Sequence, residues 1–341
     1  MTSTGFVSMR VVRTLADAVA EAGVPRGRLL RAVQLEEASL QTLDARIPVS
    51  KLYELLGQAL VLTGDPAFGL HSIERLPSDA LNPLAGLVAH ASSLRQAFAS
   101  LESFRSLLGD GPTFALHEAQ GKLHVRCLGA TEQPLHIRRY LAEVALAGLF
   151  CRLKQCKVAE HVELVCFAYE PPEYATEYLR LFDGRVRFGQ PATEMRLDAP
   201  LLGSAPTHAD AELHDTLSAL AARRVQRMTD RAPYAVRVHD ALIWQRPPRD
   251  MTMHGVARKL GVSVRSLRRY LTAEGKTFAE LTAGALECLA KRALLDERRT
   301  ISQTAQELGF ADETSFHRAF KRWTGTTPMQ YRRAATSASV G

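Results

Sequence analysis

Apolar residues recur at helical spacing along most of the chain, and they alternate with polar residues only between about positions 110 and 200. Recurrence at intervals of three and four residues predicts amphipathic helices, whereas alternation predicts strands that bury one face. The segments with helical spacing are 8–33 (two helices), 93–108, 135–154, 209–228 and 234–333. The strand-like segments are 113–118, 122–128, 162–169, 185–188 and 193–197. The pattern therefore predicts an α+β N-terminal domain followed by an all-α C-terminal domain.

The clearest helical pattern lies in Ile301–Arg333, which predicts two short helices around a glycine turn and a third helix after them. Ser302 is the expected N-cap of the first helix, and Gly309 suits the left-handed backbone of a tight turn. In the second helix aromatic residues recur at i, i+4 and i+7 and predict one buried face, made of Phe316, Phe320 and Trp323. Polar and basic residues on the opposite face complete the pattern of a helix-turn-helix.

A second copy of this pattern lies upstream, in residues 253–278. The copies match at offsets of 48, 49 and 50: Ala257, Leu260 and Gly261 with Ala305, Leu308 and Gly309; Leu267, Arg269 and Leu271 with Phe316, Arg318 and Phe320; Gly275 and Thr277 with Gly325 and Thr327. Self-similarity of this kind indicates a repeated supersecondary unit. We therefore predict two helix-turn-helix units, at about 252–272 and 301–323, joined by a long helix from Phe278 to about Arg298.

Charge is distributed unevenly along the chain. The 341 residues have a net charge of +7, but the chain from Arg237 onwards carries 18 basic and 10 acidic side chains, a net charge of +8. The preceding residues hold 25 basic and 26 acidic groups. This asymmetry indicates a separate basic domain with a polyanionic partner. We predict an α+β domain over 1–205, a helical linker region over 206–232 and a basic helical domain over 233–341, with Thr229–Pro233 as the connecting linker.

Residues 234–333 resemble the DNA-binding domain of the AraC/XylS family of bacterial transcription regulators. The residues that carry the resemblance are Gly309-Phe310, Phe316, Arg318, Phe320-Lys321-Arg322-Trp323, Gly325, Pro328 and Tyr331-Arg332. The N-terminal part is similar, in its general pattern and in a few short segments, to the arabinose-binding-type sensor domain of the ornithine-utilisation and quorum or virulence regulators of that family. This second resemblance rests on residues 64–70, 93–107 and 184–202.

The resemblance implies that two recognition helices enter successive major-groove segments, about 34 Å apart, on one face of double-stranded DNA. In the first unit, three arginines match positions at which the family reads bases: Arg265, Arg268 and Arg269. Arginine suits bidentate contact with guanine O6 and N7, although these arginines could instead form a solvated face or contact phosphates alone. The outward residues of the second unit fit contacts to mixed base edges: Thr314, Ser315, His317 and Arg318.

Other residues are candidates for positioning contacts with DNA phosphates. They are Ser263, which is also the expected N-cap of the first recognition helix, Lys276, Lys321, Arg322, Thr327 and Arg332, with Arg298, Arg299 and Arg333 as further basic candidates. Thr327 is expected to cap a last helix that has Pro328 at its first position. Ala311 leaves Asp312 as the expected cap of the second recognition helix, and Leu286 replaces an arginine that family members often carry. Because Asp312 and Glu313 repel phosphates, we expect the second unit to engage DNA less closely than the first.

Several other classes of function find no support in the sequence. The five cysteines form no C-x-x-C pair, and no His/Cys cluster has zinc spacing, so we predict neither a metal site nor a cofactor. Phosphate-binding glycine loops and the nucleophile elbow are missing as well, and we predict that the protein is not an enzyme. No apolar run reaches the roughly 18–20 residues that span a bilayer, and the start does not resemble a signal peptide, so we predict a cytoplasmic protein without a membrane partner.

The sequence thus predicts a sequence-specific transcription regulator that binds promoter DNA, and we expect an activator that responds to a small metabolite or signal. The implied partners are RNA polymerase, a small-molecule effector and a second copy of the chain in a homodimer. In the alternative hypothesis the N-terminal domain binds no effector and serves only dimerisation or binding to a protein partner. The sequence names neither the effector nor the operator.

Overall fold

The structure is a computed structural model that describes residues 5–75, 83–128, 133–243, 252–294 and 299–337. Its helices are α1 (Met9–Glu21), α2 (Arg26–Ala32), α3 (Val49–Thr63), α4 (Phe68–Arg75), α5 (Leu84–Ala89), α6 (Leu94–Ser103), α7 (Leu135–Gln155), α8 (Ala175–Leu181), α9 (Ala211–Arg231), α10 (Tyr234–Ile243), α11 (Met253–Lys259), α12 (Val264–Ala273), α13 (Phe278–Leu294), α14 (Ile301–Glu307), α15 (Glu313–Thr324) and α16 (Pro328–Ser337). Its strands are β1 (Phe6–Ser8), β2 (Arg46–Pro48), β3 (Thr113–Ala119), β4 (Lys122–Leu128), β5 (Val162–Cys166), β6 (Val186–Arg187) and β7 (Glu194–Asp198).

The described chain divides into two compact units. One is formed by Val7–Gln226, and the other by Arg227–Thr336 together with residues 5–6. The first unit mixes helices with strands, and the described residues from Arg227 to Thr336 form helices joined by turns. The prediction of an α+β domain followed by an all-α domain is therefore confirmed.

The main sheet of the first unit has the strand order β3-β4-β7-β5-β6. The hairpin β3–β4 is antiparallel, its turn at Gln120 and Gly121 has positive φ at both residues, and β7 pairs antiparallel with β4 and β5. One face of the sheet supplies apolar side chains that are at most 1% exposed: Leu123, Val125, Met195 and Leu197. Since side chains alternate along a strand, the intervening polar residues lie on the opposite face.

The helical unit is organised around α13. Near its start, Leu281 and Ala285 pack in a hydrophobic core with residues of α10, α11 and α12. Near its end, Ala290 and Leu294 pack in a second core with residues of α14 and α15. The predicted connecting helix is thus present and belongs to both cores; its last predicted residues, up to Arg298, lie outside the described residues.

Each helix-turn-helix turns at a glycine with left-handed backbone. This is Gly261, with φ of 67°, in the first helix-turn-helix and Gly309, with φ of 82°, in the second. A side chain at either position would be strained, so the repeated glycines have a common conformational cause. The predicted aromatic face of α15 is also confirmed, because Phe316 and Phe320 are fully buried and Trp323 is 8% exposed.

One prediction about a helix end is wrong. The N-cap of α14 is Thr300 and not Ser302: the Thr300 hydroxyl accepts from the Gln303 backbone N–H, and the Gln303 side chain accepts from the Thr300 N–H. This reciprocal capping box satisfies two N–H groups, which a cap at Ser302 would not. The linker predicted at Thr229–Pro233 is shorter than expected: α9 continues to Arg231, and Ala232 and Pro233 separate it from α10.

The helix α7 is buried along much of its length because it contributes to two cores of the first unit. Leu146 and Phe150 pack with the sheet, whereas Ile137 and Tyr140 pack with helices of the N-terminal part. Between them lies Glu143, only 1% exposed, which sequence periodicity did not place inside. No helix among the described residues is long and apolar enough to cross a membrane.

Glu143 is held by hydrogen bonds from α8 and the residue before it. Tyr174 donates to its Oε1 at 2.8 Å, and Tyr178 donates to the same oxygen. Burial raises the pKa of Glu143 above its ordinary value, although the two tyrosine hydroxyls oppose the shift. On its other side the carboxyl group lies against Gly69 of α4, where an added Cβ would stand 2.9 Å from Cβ of Glu143 and closer still to Oε2.

We predict that Gly69→Ala destabilises the first unit by about 1–3 kcal/mol, because a methyl group at this position overlaps the buried side chain of Glu143, including its Cβ. Chemical denaturation of the full-length protein measures the change. The matched control is Gly57→Ala in α3, where an added Cβ meets nothing within 4 Å. This variant should be stabilised by about 0.5–1 kcal/mol through helix propensity. Equal effects at both glycines would contradict the close packing of α4 on Glu143.

Candidate nucleic-acid interface

The recognition helices α12 and α15 begin with equivalent caps. The Ser263 hydroxyl accepts from the Ser266 backbone N–H at 3.1 Å, and the Asp312 carboxylate accepts from the Ser315 backbone N–H at 2.6 Å. Both predicted caps are confirmed. They occupy equivalent positions of the repeat, because Asp312 and Ser315 follow Ser263 and Ser266 by 49 residues. Each cap satisfies an N–H group that a helix terminus would otherwise leave without a partner.

In α12 the three predicted base-reading residues share one exposed surface. Leu267 and Leu271 are buried in the first core of the helical unit, which fixes the orientation of the helix. Arg265, Arg268 and Arg269 are all exposed. The guanidinium groups of Arg265 and Arg268 form no hydrogen bond or ion pair with the described residues, so their donors remain available to a ligand.

Arg269 is held by an aromatic stack that the sequence did not predict. Its guanidinium lies 5.2 Å from the ring centre of Tyr270, Tyr270 stacks on Tyr234 at 4.2 Å between ring centres, and Arg237 lies 4.5 Å from the ring centre of Tyr234. Each ring of the stacked pair therefore has a guanidinium group within the distance of a cation–π contact. The sequence contains both tyrosines, but only the packing of α10 against α12 brings them together.

Glu274, the C-cap of α12, fixes the start of α10. Its two carboxylate oxygens accept from the backbone N–H groups of Tyr234 and Ala235, each at 2.7 Å. A carboxylate at a helix N-terminus satisfies free N–H groups and interacts favourably with the helix dipole. The stack and this cap together bind the end of the first recognition helix to α10.

In α15 two of the four predicted base-reading residues have polar partners within the helix. The Ser315 hydroxyl donates to Asp312 at 3.2 Å, and His317 Nε2 lies 3.5 Å from a carboxylate oxygen of Glu313. The hydrogen bond from the Ser315 backbone lowers the pKa of Asp312, so this carboxylate stays ionised at the start of the helix. Thr314 and Arg318 are exposed. The surface that α15 offers to a polyanion thus includes negative charge, unlike that of α12.

The candidate phosphate-binding residues fall into two groups. Lys276, Lys321 and Arg322 are exposed, which suits contact with a phosphate. Three others have structural hydrogen bonds: the Ser263 hydroxyl caps α12, the Thr327 hydroxyl accepts from the Gln330 N–H at 3.2 Å and caps α16, and Arg332 Nε donates to the Leu294 carbonyl at 3.0 Å. The partly buried Arg332 therefore joins α16 to the end of α13, and this placement argues against the predicted phosphate contact. Among the further candidates, Arg299 pairs with Glu307, and Arg298 lies outside the described residues.

Metal or thiol chemistry finds no site in the part of the chain that the structure describes. No group of three or more His, Cys, Asp or Glu side chains there could hold a metal ion. The five cysteines are free thiols. Burial raises the pKa of Cys127 to about 12 and that of Cys166 to about 11, so neither thiolate is favoured near neutral pH.

Comparisons with known proteins cover both units. Residues 23–205 match the N-terminal arabinose-binding domain of AraC transcription regulators, and residues 256–334 match a helix-turn-helix domain. The chain is 28% identical to the ornithine utilization regulator of Pseudomonas aeruginosa over 336 residues, which cover 96% of this chain and 97% of that protein. It is 24% identical over 294 residues to the transcriptional regulator VirS of Mycobacterium tuberculosis, covering 85% of each chain. It is 32% identical over 149 residues to the transcriptional activator NphR of a Rhodococcus species, covering 43% of this chain and 39% of that protein.

Two helix-turn-helix units on one connecting helix, with a basic recognition helix, define a DNA-binding transcription regulator. The match over residues 23–205 covers more than half of the chain, and the chain belongs to the AraC family of transcription regulators. Proteins of this family act by binding DNA and are not enzymes. The resemblance of the sequence to this family is thereby confirmed, while the contacts of individual residues with DNA stay predictions.

We predict that exchanging the two caps changes DNA affinity in opposite directions. Asp312→Ser should raise affinity for a duplex selected by the wild-type protein, and Ser263→Asp should lower it, each by up to about 1 kcal/mol, the Coulomb energy of one exposed charge near a phosphate. The unfolding free energy should change by less than about 0.5 kcal/mol, since Ser and Asp cap helices about equally well. Fluorescence anisotropy and chemical denaturation measure the two quantities. Changes of the same sign in both variants would contradict the role assigned to the caps.

We also predict that Tyr270 and Arg269 are coupled in DNA binding. Tyr270→Leu should weaken binding to the selected duplex, because the ring that holds Arg269 is lost, and should have little further effect in an Arg269→Ala background. The expected coupling energy is about 0.5–1 kcal/mol, that of an exposed cation–π contact. Tyr270→Phe keeps the ring and is the control, with affinity close to wild type. Additive losses from Tyr270→Leu and Arg269→Ala would show that the stack does not position the arginine for DNA.

Proposed function

We propose that the protein places α12 and α15 in successive major-groove segments of a promoter and that α12 reads most of the sequence. The observation that carries this proposal is the exposed surface formed by Arg265, Arg268 and Arg269 on a helix whose orientation is fixed by two buried leucines. Arginine forks match the acceptor pair on guanine, and a bidentate contact discriminates against the wrong base by about 1–3 kcal/mol. In α15, Thr314 and Arg318 supply secondary contacts.

Phosphate contacts position the protein in this proposal. Lys276, Lys321 and Arg322 are the exposed candidates, and the N-terminal N–H groups of α16 after Thr327 could face a further phosphate. The net charge of +8 from Arg237 onwards favours association with any duplex at low salt. Specificity must therefore be judged against unrelated DNA at the same salt concentration.

Activation of transcription in response to a small-molecule effector is part of the proposal. NphR, to which this chain is similar over part of its length, is a transcriptional activator, and the N-terminal unit matches an arabinose-binding domain. A role at a bacterial promoter requires the protein in the cytoplasm and in contact with RNA polymerase, and a homodimer would double the DNA surface that is read. The regulator whose N-terminal unit only dimerises or binds a protein partner remains the alternative; a metabolite that raises the thermal midpoint of unfolding at concentrations above its Kd would exclude it.

Binding of the full-length protein to duplex DNA tests the proposed function. Arg268→Ala should cost about 1–3 kcal/mol on the selected duplex and less on an unrelated one, because only the former loses a base contact. If about six phosphates are neutralised, the logarithm of the binding constant should fall with the logarithm of salt concentration at a slope near −5. An equal loss on both duplexes would reassign Arg268 to a phosphate, and a protein without salt-sensitive duplex binding would refute the function.

A further inference from the structure

The polar face of the main sheet in the first unit carries a cluster of cations around one buried carboxylate. His124 and Arg126 on β4 pair directly with Arg196 and Glu194 on β7. Side chains that pair across an antiparallel ladder lie on the same face, and these four alternate with the apolar residues that face the core. They therefore occupy the face of the sheet that points away from the hydrophobic core.

Glu194 is the anchor of this cluster. It is 3% exposed, and its carboxylate accepts from His124 Nδ1 at 3.0 Å, Arg196 Nε at 2.9 Å and Arg126 Nε at 3.4 Å. Burial alone would raise the pKa of Glu194, but the hydrogen bonds from His124 and Arg196 and the charge of Arg126 outweigh it and hold the pKa below its ordinary value. The group is therefore a carboxylate that orients two guanidinium groups.

Both arginines use only the inner nitrogen of the guanidinium in this contact. Their terminal nitrogens, Nη1 and Nη2, form no hydrogen bond with the described residues, and the side chains of Arg126 and Arg196 are 27% and 32% exposed. A guanidinium keeps four N–H donors after Nε has been used, arranged as a fork that matches a carboxylate or phosphate. Two such forks, fixed by one carboxylate and accessible to solvent, form what we call the arginine pair.

The charge around the arginine pair favours a small anion. Two arginines against Glu194 leave one net positive charge when His124 is neutral, whereas the neighbouring Glu163 and Asp198 share a single cation, Lys122, at 2.9 and 2.8 Å. The chain before Arg237 has slightly more acidic than basic groups, so an extended polyanion such as DNA would meet repulsion around the cluster. A single carboxylate or phosphate group on a small molecule can contact the guanidinium donors without extending over the surrounding carboxylates.

We propose that the arginine pair, Arg126 and Arg196 anchored by Glu194, is a binding site for a small molecule that carries a carboxylate or phosphate group. The proposal rests on the proposed effector response for its regulatory meaning, since such a molecule would be the effector. It assigns the recognition of the anionic group to the terminal nitrogens of both arginines. The alternative is a charge ladder that only stabilises the sheet.

Calorimetric titration of the full-length protein at constant ionic strength tests the site, with inorganic phosphate and succinate as separate probes. We expect saturable binding of at least one probe, and the probe that binds identifies the group as phosphate or carboxylate. Arg126→Gln and Arg196→Gln should each weaken binding about tenfold or more, because each removes charge-assisted hydrogen bonds to the anion. Arg95→Gln is the matched control: Arg95 is 68% exposed and pairs with a single carboxylate at 3.4 Å, and its removal should leave binding unchanged.

Arg126→Lys and Arg196→Lys guard against a loss of folding, since each keeps a positive charge beside Glu194 but removes the fork; both should fold and bind severalfold more weakly. Binding of neither probe by the wild-type protein overturns the proposal, as does binding that is unchanged in all four arginine variants. Duplex binding by the wild-type protein is measured separately. A failure of the proposed DNA-binding function is thus distinguishable from a failure of the anion site.

Discussion

The burial of the two ends of α13 in separate hydrophobic cores is the constraint on which the DNA-binding unit depends. Leu281 and Ala285 belong to the core that orients α12, and Ala290 and Leu294 belong to the core that orients α15. A helix of 17 residues is about 25 Å long, so one rigid element fixes the spacing of both recognition helices. Neither half can bury its apolar face without α13, which ties the geometry of DNA recognition to the stability of the unit.

Polar and aromatic contacts restrict the positions of particular helix ends and side chains beyond what the hydrophobic cores determine. In the helical unit, Glu274 and the stack of Tyr234 on Tyr270 fix the end of α12 against α10, and with it the ring that contacts Arg269. In the first unit, Glu194 plays a comparable part for Arg126 and Arg196. In both places buried or stacked groups restrict arginines that would otherwise sample many rotamers, which lowers the entropy lost on binding a ligand.

The repeat, the caps of α12 and α15, and the aromatic face of α15 could be predicted because each depends on residues close in sequence. The cap Thr300 is also a local feature, since Thr300 and Gln303 have the spacing of a capping box, but the nearby hydroxyl of Ser302 offered a competing N-cap. Glu143 was missed because periodicity assumes one buried face, whereas α7 packs into two cores and its carboxyl partners are 31 and 35 residues away. The stack at Arg269 and the cluster at Glu194 depend likewise on pairings between distant elements, which no local spacing reveals.

The equivalence of the two recognition-helix caps has a consequence for how such a protein diverges. Serine and aspartate stabilise a helix start about equally, so a change between them at position 263 or 312 is close to neutral for folding. It is not neutral for a neighbouring polyanion, since it adds or removes one charge. In a repeated motif of this kind, the DNA affinity of each helix-turn-helix can therefore change independently of the other. No compensating change in the hydrophobic cores is needed.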